Sequence, residues 1–242
     1  LTGPTVNMAY GRLSVARAEF LRDGLMIADR PDADQADLPP ARGSGWAAHA
    51  AAWVYRRQLY REPVKHMRWW LEAGLNPRLG GGATRNSLIN EPVATLDDRD
   101  PTRTDILHEY FVSPDGWADF LTLCRETIPG SYQEMLNVTI RHVAADHDSW
   151  LSYASVPRLA AVMSFSQEIS ARAEADMTRL TRDLVEGMLA IGGSYYLPYR
   201  PHARLDQFHR AYPRAAAFAA RKRELDPGLT LRNALWDNYL GV

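Results

Sequence analysis

Apolar and polar positions along this chain alternate in some stretches with the two-residue period of a strand that has one wet face, and recur in others with helical spacing. The clearest alternation is Met135 to Val143, MLNVTIRHV. It puts Leu136, Val138 and Ile140 on one side and Asn137, Thr139 and Arg141 on the other. Residues 6–15 (VNMAYGRLSV), Gly24 to Asp29, Asp105 to Val112 (DILHEYFV) and Arg158 to Ile169 also read as strands, with a short one over Ser194 to Tyr199. Helical spacing follows Ser113, which can cap a helix carrying Pro114 in its first turn; Trp117, Phe120, Leu121 and Cys124 share a face there. It returns over Arg172 to Ile191, with Met177, Leu180, Leu184 and Met188 on one side, and stops at Gly192-Gly193.

The remaining segments are less regular. Trp46 to Ala73 reads as an Ala-rich helix that Pro63 breaks or kinks. Its Trp53, Tyr60, Trp69 and Trp70 are expected to pack, as large aromatics usually do; the sharper reading is a subunit-interface or cavity-lining helix. Residues 30–45 and 74–104 are rich in Asp, Pro and Gly and read as long connections. Leu205 to Tyr212 and Arg214 to Leu225 read as helices, the second started by Pro213. The aromatic ending, LTLRNALWDNYLGV, is expected to dock against something.

From 105 to 199 the order is strand, helix, strand, strand, helix, strand. This predicts an α+β fold: an antiparallel sheet with helices packed on one face, a ferredoxin-like split βαβ core extended by the earlier strands, plus C-terminal helices. Residues 1–200 form one domain on this reading, with a loop–helix insertion at 30–104, and residues 201–242 form the C-terminal helices and tail.

Composition narrows the function. The chain has 242 residues and a formal net charge of -1. It therefore carries no basic footprint for nucleic acid or an anionic membrane, and no apolar run is long enough to span a bilayer. The single cysteine, Cys124, excludes an intrachain disulfide and fits a reducing, cytoplasmic setting. The start, Leu-Thr-Gly-Pro, has no Met, which reads as a piece of a longer protein or a processed product.

No HExxH, CxxC, GxSxG, Walker or dinucleotide-binding signature is present. His142, Asp146, His147 and Asp148 suggest a metal on spacing, but at a strand end such residues more often make turns, so no metal site is assigned. The polar side of the 135–143 strand either faces solvent or lines a cavity in which Arg141 would anchor a ligand. His108 and Tyr110 share one face of the 105–112 strand, with Glu109 on the other. The run 192-GGSYYLPYRPH-202 concentrates aromatic and polar reach at one short connection between helices; by default Tyr195, Tyr196 and Tyr199 are packing residues.

Several segments in order resemble the C-terminal part of FAD-linked oxidases of the vanillyl-alcohol oxidase superfamily, in the branch of aldonolactone, alditol and decaprenylphosphoryl-ribose oxidases. They are MAYGRL at 8–13, LHEYFVSP at 107–114, MLNVTIRHV at 135–143, GGSYYLPYR at 192–200, FHRAYP at 208–213 and ARKRELDPGLTLRNALWDNYL at 220–240. The resemblance implies a cap, or substrate, domain and a returning tail at 201–242 that would dock on the FAD-binding domain, which lies N-terminal to them. It implies an oxidoreductase that takes a hydride from an alcohol carbon to FAD, the cofactor being held mainly by that other domain. Tyr199 stands where relatives carry a lysine, and Thr139 where alditol oxidases carry a glutamate. On the resemblance the catalytic group is Tyr199, Arg200 and His202, with His202 as candidate base. The substrate-binding group is His108, Tyr110, Asn137, Thr139, Arg141 and Tyr196, and Asn233 and Tyr239 touch the cofactor. Implied partners are a small-molecule alcohol, the FAD-binding domain and a second copy in a homodimer. The alternative is a non-catalytic ligand-binding or dimerisation module derived from that cap.

Overall fold

The computed structural model describes residues 6–32, 46–75, 78, 84–86 and 100–241. Six strands, β1 (Met8–Leu13), β2 (Gly24–Asp29), β3 (Arg103–Val112), β4 (Glu134–Val143), β5 (Arg158–Glu168) and β6 (Ser194–Tyr195), form one sheet in the order β2-β1-β4-β5-β3-β6. Every pairing is antiparallel. Strands β3 to β6, with α3 (Trp117–Thr127) after β3 and α4 (Ala171–Ala190) after β5, are the expected split βαβ unit. The β1–β2 hairpin extends it beyond β4.

One face of the sheet meets α3 and α4. Ile106, Tyr110 and Val112 of β3, Met163 and Phe165 of β5, and Val138 of β4 are buried there against Phe120, Cys124, Met177, Leu180, Leu184 and Met188. Each such side chain contributes roughly 1.5–3 kcal/mol by leaving water. The Ser113 cap forms as the sequence indicates, its hydroxyl accepting from the Gly116 N–H, and Ser170, not singled out in sequence, caps α4 by accepting from Ala173. Gly192 ends α4 with φ of 70°, a conformation glycine adopts freely.

Several sequence expectations need correction. β1 is shorter than the run 6–15. A bulge between Met135 and Asn137 inserts Leu136 into β4, so Met135 and Leu136 are both buried, while Asn137, Thr139 and Arg141 keep a common side. The helix does break just before Pro63, though the turn itself is made by Tyr60, with φ of 54°, after α1 (Trp46–Arg57), and Pro63 lies in the first turn of α2 (Glu62–Trp69). The connections at 30–45 and 74–104 lie largely outside the described residues.

The helices around Pro63 pack by their polar side. They lie over the sheet face opposite α3 and α4, where Tyr55 donates to Ser164, Arg68 to Asn137 and to the Leu136 carbonyl, and Gln58 to the same carbonyl. Lys65 pairs with Glu134, both buried, and Arg56 with Asp105. The aromatics expected inside are therefore turned outward: Trp53 is 59% exposed and Trp70 60%.

Residues 205–241 complete the fold. In α5 (Leu205–Ala211), Phe208 stacks on Tyr239 with ring centroids 4.7 Å apart, and the Tyr239 hydroxyl donates to the Ala203 carbonyl at 2.9 Å. Trp236 is buried beneath Lys222 and Arg223 of α6 (Ala215–Leu225). The aromatic ending does dock, and its seat is this chain's own helices.

Candidate functional site

The tyrosine-rich connection owes its shape to the edge of β3. β6 pairs with β3 only through Tyr195 and Ser194. The Tyr196 N–H makes one more bond, to the Glu109 carbonyl, and then Pro198, which has no N–H to give, accompanies the chain's departure from the strand. The predicted strand over 194–199 is thus only two residues long. Beyond it the chain wraps round the β3 edge and delivers side chains to both sides of the sheet.

On the side away from α3 and α4, the Tyr199 hydroxyl approaches Glu109 at 3.5 Å, the long end of hydrogen bonding. The Arg141 guanidinium acts on the same carboxylate. Burial raises the Glu109 pKa against the opposing pull of Arg141 and Tyr199. Tyr199 is pushed up to about 12 by burial and by the Glu109 charge. Its ring meets Tyr196 edge-on at 5.3 Å; Tyr196 meets Tyr153 at 5.4 Å; Tyr153 stacks on Phe111 at 4.2 Å. These rings form an aromatic wall beside a carboxylate, a phenol and an arginine. Arg141 also borders an apolar crevice of about 530 Å³ between the β1–β2 hairpin and α3.

On the helix side the connection feeds a buried polar chain. His202 Nε2 lies 2.7 Å from one oxygen of Glu174, while Arg200 donates to the other at 2.6 Å. His202 Nδ1 faces the Thr181 hydroxyl at 3.4 Å, and His108 Nε2 faces the same hydroxyl at 3.3 Å. His108 Nδ1 meets the Tyr110 hydroxyl at 3.0 Å. Because Thr181 gives its own proton to the Met177 carbonyl at 2.8 Å, it can only accept from His108, which fixes that ring as the Nε2–H tautomer. Burial, helped by the His202 charge, holds His108 down to about 3. Burial alone would raise Glu174; hydrogen bonds from Gln167 and His202 and the charge of Arg200 bring it below the usual carboxylate range.

The residues singled out in sequence are therefore divided. Tyr196 and Tyr199 share a side with Asn137, Thr139 and Arg141, though Asn137 is engaged by Arg68 and Thr139 by Arg12. His108 and Tyr110 lie through the sheet, in the core beneath α4, instead of beside Arg141, because the pleat sends residues 108 and 110 to the helix side. His202 is 7% exposed and joined to Glu174, which removes it from the Tyr199 group as a base. A water-sized cavity of about 20 Å³, bordered by His108, Glu109, Tyr110, Thr181, Tyr199 and Arg200, lies between the two sides.

Sequence reading passed over Glu174 and Thr181, and placed Glu109 on its face without giving it a role. Thr181 had left a signal: a hydroxyl interrupting the apolar stripe between Met177 and Leu184, two helical turns from Glu174. Glu109 becomes informative only once the register sets it in a row with Val162 and Thr139.

The two residues assigned to the cofactor have partners within this chain. Tyr239 spends its hydroxyl on Ala203 and its ring on Phe208, and the Asn233 side chain accepts from the Trp236 N–H as a helix cap. Among the described residues, no group of three His, Cys, Asp or Glu could hold a metal; Asp146 instead accepts the backbone N–H groups of Asp148 and Ser149, closing a turn. No helix among them is long and apolar enough to cross a membrane. No protein-family model matches the chain, and no curated protein matches it significantly.

Proposed function

We propose that this chain is the substrate-binding portion of a flavin-dependent oxidoreductase that acts on an alcohol carbon of a sugar, polyol or lactone-like molecule. The observation that carries the reading is the convergence of Glu109, Tyr199 and Arg141 on the sheet side opposite α3 and α4, next to the wall of Tyr196, Tyr153 and Phe111. The ordered resemblance to flavin-linked oxidases supports it.

In this reading Tyr199 holds the substrate hydroxyl. Glu109, made more basic by burial, accepts its proton and becomes neutral, and Arg141 offsets the alkoxide character that develops on the substrate oxygen before the hydride leaves. Oxidation needs a hydride acceptor; on the resemblance the FAD that would supply it is held mainly by a separate FAD-binding domain. A second reading, a ligand-binding module without redox chemistry, is favoured by the tail, which docks on this chain's own α5 and α6.

The test is ligand binding followed by NMR, with polyols, sugars and aldonolactones titrated into the protein and into Glu109→Gln and Tyr199→Phe. One class should bind and weaken by about tenfold in Glu109→Gln, the loss of one charge-assisted hydrogen bond. If no class binds, or if both variants bind as the parent does, the reading fails. Turnover on addition of an FAD-loaded flavin domain would decide between the oxidoreductase and the redox-silent module.

A further inference from the structure

A second cavity, of about 370 Å³, opens behind the aromatic wall, between the start of β5, the end of α4 and the α5–α6 corner. Three arginines from three elements border it: Arg158 at the first position of β5, Arg210 in α5 and Arg214 just before α6. Their pairing differs. Arg210 is neutralised by Glu186 at 2.7 Å. Arg158 gives one N–H to the Gly192 carbonyl at 2.7 Å, capping α4, and among the described residues it has no other hydrogen-bond acceptor and no carboxylate partner. Arg214 lies over the Trp150 ring at 4.6 Å with one long bond, 3.3 Å, to the Ser149 carbonyl, and it too has no carboxylate partner among the described residues.

The cavity's own acid does not answer them. Asp146 borders it, but its carboxylate is engaged by the backbone N–H groups of Asp148 and Ser149 and by the hydroxyls of Ser149 and Ser152. Two guanidiniums thus face one cavity with most of their donors unused. Arg158 is partly removed from water, and its pKa is lowered for that reason. Leaving the buried Nε of Arg158 unmet is costly, and an oxyanion that accepts from it and from the exposed Arg214 guanidinium together is the ligand that removes the cost.

We propose that this cavity is a binding site for the phosphate or carboxylate group of a small ligand, held between Arg158 and Arg214. The site is independent of the alcohol-oxidising reading: the rings of Tyr153 and Tyr196 separate it from Tyr199.

The experiment is titration of the protein with inorganic phosphate, and separately with acetate, at constant ionic strength, followed by NMR. Arg214→Gln and Arg158→Gln should each weaken binding by about tenfold, the loss of one charged hydrogen bond. Arg232→Gln, at an arginine already paired with Asp237, should leave it unchanged. Stronger binding of phosphate assigns a phosphate-bearing ligand, and stronger binding of acetate a carboxylate. Arg158 also caps α4, so its variant is read with a melting curve; Arg214 is exposed, and its variant carries the test if the other unfolds. Failure of both anions to bind the parent, or unchanged affinity in Arg214→Gln, overturns the proposal.

Discussion

His108 and His202 lean on one hydroxyl: Thr181 Oγ1 stands 3.3 Å from Nε2 of the first and 3.4 Å from Nδ1 of the second. Since Thr181 passes its proton to Met177, the cluster is satisfied only while His108 keeps its Nδ1 free to accept from Tyr110. A second proton on that ring would bury a charge and break the bond to Tyr110 together.

Stability should therefore depend on pH through His108. In the unfolded chain the imidazole takes its proton near 6.5, while in the folded chain it resists until about pH 3. The unfolded state binds more protons throughout that window, so stability falls as pH falls from 6.5 towards 3, by an amount on the order of a few kcal/mol. Denaturant titrations across this range should show the slope, and His108→Asn should flatten it. An equal slope in parent and variant would place the effect elsewhere.

The Tyr199 phenol should report on Glu109. Burial and the Glu109 charge hold it at about 12. Glu109→Gln removes that charge and should bring Tyr199 down towards the ordinary value of 10.0, read from the ring-carbon shift of a labelled tyrosine. No movement would mean that the two groups do not sense each other.

The tail should matter to stability as a core element does. Trp236→Ala empties a buried site beneath Lys222 and Arg223 and should cost about 3–5 kcal/mol in chemical denaturation. Tyr239→Phe removes only the bond to Ala203 and should cost about 1 kcal/mol. A neutral Trp236→Ala would mean that the tail is not docked in solution.

Lys65 and Glu134 test the seating of α2 on the sheet. Lys65→Ala strands a buried carboxylate and should cost about 3–5 kcal/mol, whereas Lys65→Met with Glu134→Gln should recover much of it. If the double variant is no better than the single, the penalty comes from lost packing instead.

The βαββαβ order was legible because elements from 105 to 195 satisfy local rules: alternation in β4, Ser113 as a cap, Gly192 as a stop. What escaped was relational. Trp53 and Trp70 looked like core residues because nothing in α1 and α2 shows that the face beneath them is polar, with Ser164, Asn137 and Asp105. His108 and Arg141 were grouped by chemistry, yet the pleat sets them on opposite sides of the sheet. Tyr199 and His202 are three positions apart in the chain, and a wrap round a strand edge sends them to different neighbours, which no spacing rule encodes.

The narrow join between β1 and β4 has a kinetic consequence. Its register rests on two facing pairs, Gly11 with Ile140 and Arg12 with Thr139, and a single side-chain bond there already links positions 127 apart in the chain. The hairpins and helices from β3 to β6 close far shorter loops and reward them with the densest part of the core. Closing the long loop first would spend chain entropy before any apolar burial returns it. Assembly is therefore expected to run outward from the centre of the sheet, with the β1–β2 hairpin the last strand pair to join it and the first to leave.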